Sequence, residues 1–159
     1  MTTYTHSLCM AKKNNTIETL LVQLEALCTT HEQKSRIQQI NAEIKIQKDI
    51  SAKNISNKAL YATLHITRGL DSSLRLFLEI NSILSSEHSL GDYLKRLANH
   101  SSPNILRLRE GLRTRFQKEI VDKRNLYMHS SGQFPNSNEM SEIESQICNC
   151  LQTVLLLVH

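Results

Sequence analysis

The chain has 159 residues, 40% of them hydrophobic and 21% charged, with only four Gly and two Pro. One compact domain with its own core fits that length, while so few turn residues and so few aromatics (four Tyr, three Phe, no Trp) exclude a sandwich or barrel, which must turn about every ten residues. Nineteen Lys and Arg against fifteen Asp and Glu give a formal net charge of +4, too modest by itself to name a partner.

In chain order, Ile17, Leu20, Leu21, Leu24, Leu27 and Cys28 recur at helical spacing and predict a helix with one buried stripe. Thr29-x-x-Glu32 has the form of a capping box, so the stretch carrying Ile37, Ile40 and Ile44 is either a second helix or a continuation of the first. A third helix is expected from about Asn57 to Ser85, with Leu60, Leu64, Thr67, Leu74 and Leu78 in one narrow arc and Phe77 and Leu84 extending it. A short helix follows with Leu90, Tyr93, Leu94 and Leu97. After a loop at 99–102, Pro103 is placed to open a basic helix that turns Ile105, Leu108, Leu112, Phe116, Ile120 and Tyr127 inward. Ser130, Ser131, Gly132 and Pro135 end that helix near His129, and the last helix carries Met140, Ile143, Ile147, Leu151, Val154 and Val158. The expected fold is all-α: a single domain over 1–159, an up-and-down bundle of five or six helices. Within it, 1–54 forms an N-terminal arm or first layer and 57–159 the core.

The whole charge excess falls in 101–128. There Arg107, Arg109, Arg113, Arg115, Lys118, Lys123 and Arg124 meet Glu110, Glu119 and Asp122, seven against three, which leaves twelve against twelve elsewhere. Cys9, Cys28, Cys148 and Cys150 form no C-x-x-C pair and have no His at finger-like spacing, so neither a disulfide framework nor a zinc site is indicated. The expected compartment is the reducing cytoplasm. The first 15 residues lack an apolar targeting stretch and the run Val154 to Val158 is far too short to cross a bilayer, so no membrane association is expected.

A Gly-rich phosphate loop, H-E-x-x-H, G-x-S-x-G and a two-metal carboxylate cluster are all missing, so no metal or cofactor is called for. What remains is Lys123-Arg124-Asn125-Leu126-Tyr127-Met128-His129, with a permanent cation, an amide and an imidazole at the end of the basic helix. Five residues on a regular helix separate Arg124 and His129 by roughly 140°. If regular geometry stops near Met128, the imidazole is free to swing toward the Arg124 side. Such a pair suits RNA: imidazole takes a proton from a 2′-hydroxyl while guanidinium grips the phosphate.

Arg124-Asn125-x-x-x-His129 followed by Ser-Ser-Gly resembles the R-x(4-6)-H motif of HEPN domains, in the R-N-x-x-x-H form of their ribonuclease branches. The apolar stretch from Tyr61 to Leu78, interrupted by the single acid Asp71, resembles that family's preceding helix, and the resemblance spans 57–159. It implies a metal-independent homodimeric endoribonuclease, with Arg124 on the scissile phosphate, His129 as general base or acid, and Asn125 and Asp71 holding them in register. It also implies a toxin or antiviral effector restrained by an antitoxin or other regulatory protein. The alternative is a non-catalytic HEPN-like module for RNA binding, dimerisation or partner contact.

Each residue also has a plainer reading. Arg124 could simply finish a basic surface helix, His129 could cap the last carbonyls, and Asn125 could bond local backbone. Asp71 points with the apolar stripe and needs a partner, either Arg124 or His129 of the motif or Arg68 or Arg75 on its own helix. Lys123 is either a snorkelling stem or a phosphate contact, and Arg113 and Arg115 are either a solvated face or a phosphate-tracking strip. Tyr127 packs inward with Phe116, or else turns its hydroxyl to the site.

Overall fold

The computed structural model describes residues 15–83 and 88–158, and every regular element among them is helical. Helix α1 (Ile17–Ala26) starts where the Thr16 hydroxyl accepts the Thr19 N–H, and it buries Ile17, Leu20, Leu21 and Leu24. The chain then breaks: α2 (His31–Ala52) is a separate helix, capped by Thr30 with Gln33. The expected Thr29/Glu32 box is thus off by one residue. The Gln33 side-chain oxygen accepts both the Thr29 N–H (2.8 Å) and the Thr30 N–H (3.2 Å), while Glu32 pairs with Arg36 at 3.2 Å.

Helix α3 (Lys58–Ile80) lies at the centre, packed against α1, α2, α4 (Leu90–Asn99), α6 (Lys123–His129) and α7 (Ser137–Leu155). Neighbours on so many sides widen the expected narrow arc. Ala62, Ile66, Leu70, Ser73 and Leu76 are buried too, whereas Leu60 and Leu64 are only half-buried. The buried Ser73 and Thr67 hydroxyls donate back to the Gly69 and Thr63 carbonyls at 2.7 and 2.8 Å, whereas the buried Thr63 hydroxyl has no hydrogen-bond partner among the described residues. Gly69 lets α2 come close, since a Cβ there would sit 2.7 Å from Ile44 Cδ1. Helix α3 stops at Ile80, earlier than expected, and Leu84 and Ser85 lie outside the described residues.

Pro103 does not open the next helix. Residues 103–109 are non-helical, because the ends of α4 and α7 satisfy their backbone: Leu106 N–H donates to the Leu157 carbonyl (2.8 Å), Leu108 N–H to the Leu97 carbonyl (2.9 Å), and Ile105 bridges to Val158. Ile105 and Leu108 are still buried, but from an extended segment, and Val158 serves the core beyond the end of α7 rather than within it. Helix α5 (Glu110–Phe116) then runs through a π-helical stretch (Gln117–Asp122) into α6 without a break, giving six helical rods among the described residues. One hydrophobic core runs from Ile17 to Leu157, so α1 and α2 are a layer of the same bundle. No described helix is long and apolar enough to cross a membrane.

Candidate functional site

The π stretch decides which side chains of the basic rod share a face. A π turn holds one residue more than an α turn, so everything after it is rotated back by about 100°, one residue's step. On an unbroken α-helix Asn125 would sit roughly 120° from Arg113, whereas with the π turn the difference is about 20°. Arg113, Gln117, Val121, Arg124 and Asn125 accordingly line one cavity of about 600 Å³, whose opposite wall is Thr67 and Asp71 of α3 and the start of α4.

Four cations line this cavity, Arg68, Lys95, Arg113 and Arg124, against the carboxylates of Asp71 and Asp92. Three of the four are engaged: Arg68 with Glu43 at 3.4 Å, Lys95 with Asp92 at 3.6 Å, and Arg113 with Glu110. Arg124 has no carboxylate within ion-pair distance among the described residues. It donates instead from Nη1 to the neutral Asn125 Oδ1 at 2.9 Å, which fixes the plane of the guanidinium without using up its charge.

Asp71 lies half-buried in the same cavity. Burial pushes its carboxyl above the ordinary 3.8, and Arg124, then Arg75 and His88, pull it back only in part. Of the cations considered from sequence as its partner, Arg124 therefore acts most strongly and Arg75 next, while Arg68 is turned to Glu43 and His129 plays no part.

The other candidates are placed elsewhere. His129 is the last residue of α6, so the helix ends where expected, but regular geometry does not stop at Met128 and the condition for the imidazole to swing toward Arg124 is not met. Its side chain is exposed and lines neither of the cavities that Arg124 lines. Lys123 is held by Glu119 at 2.8 Å and by Glu142 of α7 at 3.7 Å, on the α7 side of the rod. Tyr127 is buried, and its phenol is pushed up by burial and by the nearby Glu139 carboxylate. Arg115 is exposed. Arg107 is occupied structurally, its Nε donating to the His100 carbonyl at 2.7 Å. Among the described residues no three His, Cys, Asp or Glu side chains come together as a metal site, and Cys28, Cys148 and Cys150 are free thiols.

The sequence did not single out His65 of α3. Its Nδ1 lies 2.7 Å from Glu43 Oε2 on α2, and its ring lines a second cavity of about 350 Å³ together with Tyr61, Leu64, Arg68, Arg124 and Met128. A pairing across 22 residues and two helices leaves no trace in local spacing. No family model, curated protein or solved structure matches this chain.

Proposed function

We propose that this chain is a HEPN-type, metal-independent endoribonuclease that works as a homodimer in the cytoplasm, in a toxin or antiviral role. One observation carries the reading: Arg124, alone among the cations of a basic cavity in having no carboxylate partner among the described residues, is oriented by Asn125 and faces a half-buried carboxylate. A guanidinium so placed is free to take a phosphodiester bidentately and to stabilise charge that develops on it. Asp71 lines the same cavity and forms no ion pair with Arg124 that would occupy it.

Cleavage would follow attack of the 2′-hydroxyl on the adjacent phosphorus, leaving a 2′,3′-cyclic phosphate and a 5′-hydroxyl, with His129 as acid or base. His129 is exposed at the end of the rod that carries Arg124, so in this reading a second copy brings its imidazole to the cavity. Incubation of single-stranded RNA with the purified protein in EDTA is expected to give cyclic-phosphate ends. Arg124→Ala and His129→Ala should each abolish the cut while leaving fold and dimer intact. Retained cleavage in both variants, or cleavage lost with EDTA, would sink the reading.

The position of His129 outside the cavity favours a second reading, a non-catalytic RNA-binding or dimerisation module. Binding of RNA without any cleavage under the same conditions would establish it.

A further inference from the structure

Two imidazoles share a cavity with Arg124, His88 in the larger one and His65 in the smaller, and the His65 ring is held by a carboxylate, Glu43. We infer that His65, oriented by Glu43, is the proton acceptor of a phosphodiester site whose anion is gripped by Arg68 and Arg124. This rests on the nuclease reading only for the cleavage step.

The argument is geometric. Glu43 as a carboxylate can only accept, so the 2.7 Å contact makes His65 Nδ1 the protonated nitrogen and leaves Nε2 as the basic one. Nε2 makes no hydrogen bond to another described residue. A ring so held is fixed in both tautomer and direction, which an exposed histidine at a helix end is not. Glu43 also holds Arg68 at 3.4 Å, so one carboxylate sets the base and one of the two cations. Arg68 and Arg124 line both this cavity and the larger one, so the two depressions adjoin at these guanidiniums. Exposed Tyr61 and Met128 form the apolar rim of the smaller depression, a platform on which a base can stack beside a phosphate.

In the step this site would run, the 2′-oxygen bonds to phosphorus and its proton passes to His65 Nε2 as the P–O5′ bond breaks. The 5′-oxygen takes a proton from the acid of the reaction, the share left to His129 in its imidazolium form. Exchange with water then resets both rings. Glu43 is a positioning residue, acting only through His65 and Arg68.

The test has two arms. In the first, the imidazole nitrogens of the wild-type protein are followed by NMR during titration with 2′-deoxyuridylyl-uridine, a dinucleotide that has no 2′-hydroxyl at the linkage and cannot be cut. His65 Nε2 is expected to shift, and Arg124→Ala to suppress the shift. In the second, RNA cleavage in EDTA is compared between wild type, His65→Gln and Glu43→Gln. A loss of about 100-fold or more is expected for His65→Gln, and for Glu43→Gln a fall in kcat through His65 together with a smaller rise in KM through Arg68.

A His65 nitrogen that ignores the dinucleotide, or His65→Gln cutting at the wild-type rate, overturns the inference and leaves the nuclease reading standing. A shift at His65 in a wild-type protein that cuts nothing upholds the phosphate site and removes the nuclease reading instead. If wild type neither cuts RNA nor shifts His65, both fall.

Discussion

Arg124 and Lys123 are neighbours in sequence with opposite commitments, and replacing each by alanine separates a cavity from a merely basic surface. Lys123 is held by Glu119 and Glu142, so an approaching phosphate must first displace two carboxylates. Arg124 is bonded only to a neutral amide and lines both cavities. A charge-assisted hydrogen bond contributes about 1.5 to 3 kcal/mol. Arg124→Ala should therefore weaken binding of a single-stranded 2′-deoxy oligonucleotide about 10- to 150-fold, since each 1.4 kcal/mol is about tenfold. Losing one phosphate contact should also flatten the plot of log affinity against log salt by about 0.7. Lys123→Ala should leave affinity and slope nearly unchanged and lower stability by less than about 1 kcal/mol, the range of an exposed ion pair. Fluorescence anisotropy from low to moderate salt reads affinity and slope, and urea denaturation reads stability. Equal losses of affinity in the two variants, with equal slopes, would show that nucleic acid sees only diffuse charge and would refute the assignment of Arg124.

Asp71→Asn should raise stability at neutral pH. The folded state holds the Asp71 proton more tightly than the unfolded chain does, so this group's contribution is fully present below 3.8 and is lost as pH rises through its elevated folded value. Urea midpoints should therefore rise in the variant at pH 7 and converge with wild type in acid; a variant less stable at pH 7 would mean that Arg124 outweighs burial. Tyr127→Phe should leave oligonucleotide affinity unchanged, because Tyr127 is buried and lines neither cavity. A clear loss of affinity would place that hydroxyl in the site. Thr30→Ala should cost about 1 kcal/mol in thermal or urea unfolding, and Glu32→Ala much less, since Thr30 and Gln33 make the cap.

Helical content, the buried stripes of α1, α4 and α7, and the end of the basic rod at His129 were all legible in the sequence. Each follows from i, i+3, i+4 spacing or from a local cap or breaker. That Asp71 would need a cation was legible too, because its position among Leu64, Leu74 and Leu78 is a local fact. Which cation answers it is not local. Arg124 lies 53 positions away and reaches Asp71 only because α6 packs on α3.

Tertiary structure decided three further things. The segment after Pro103 has a helical pattern but finds its backbone partners on Leu97 and Leu157, and long-range hydrogen bonds override spacing wherever they satisfy the same groups. The π turn carries no recognisable residue signature, yet it sets which of Arg113, Arg124 and Asn125 face together. His65 and Glu43 meet because Gly69 lets α2 settle closely on α3. Spacing along one chain reports the periodicity of one helix, whereas a site built from facing helices depends on their packing and rotational phase, and those are fixed only when the core closes.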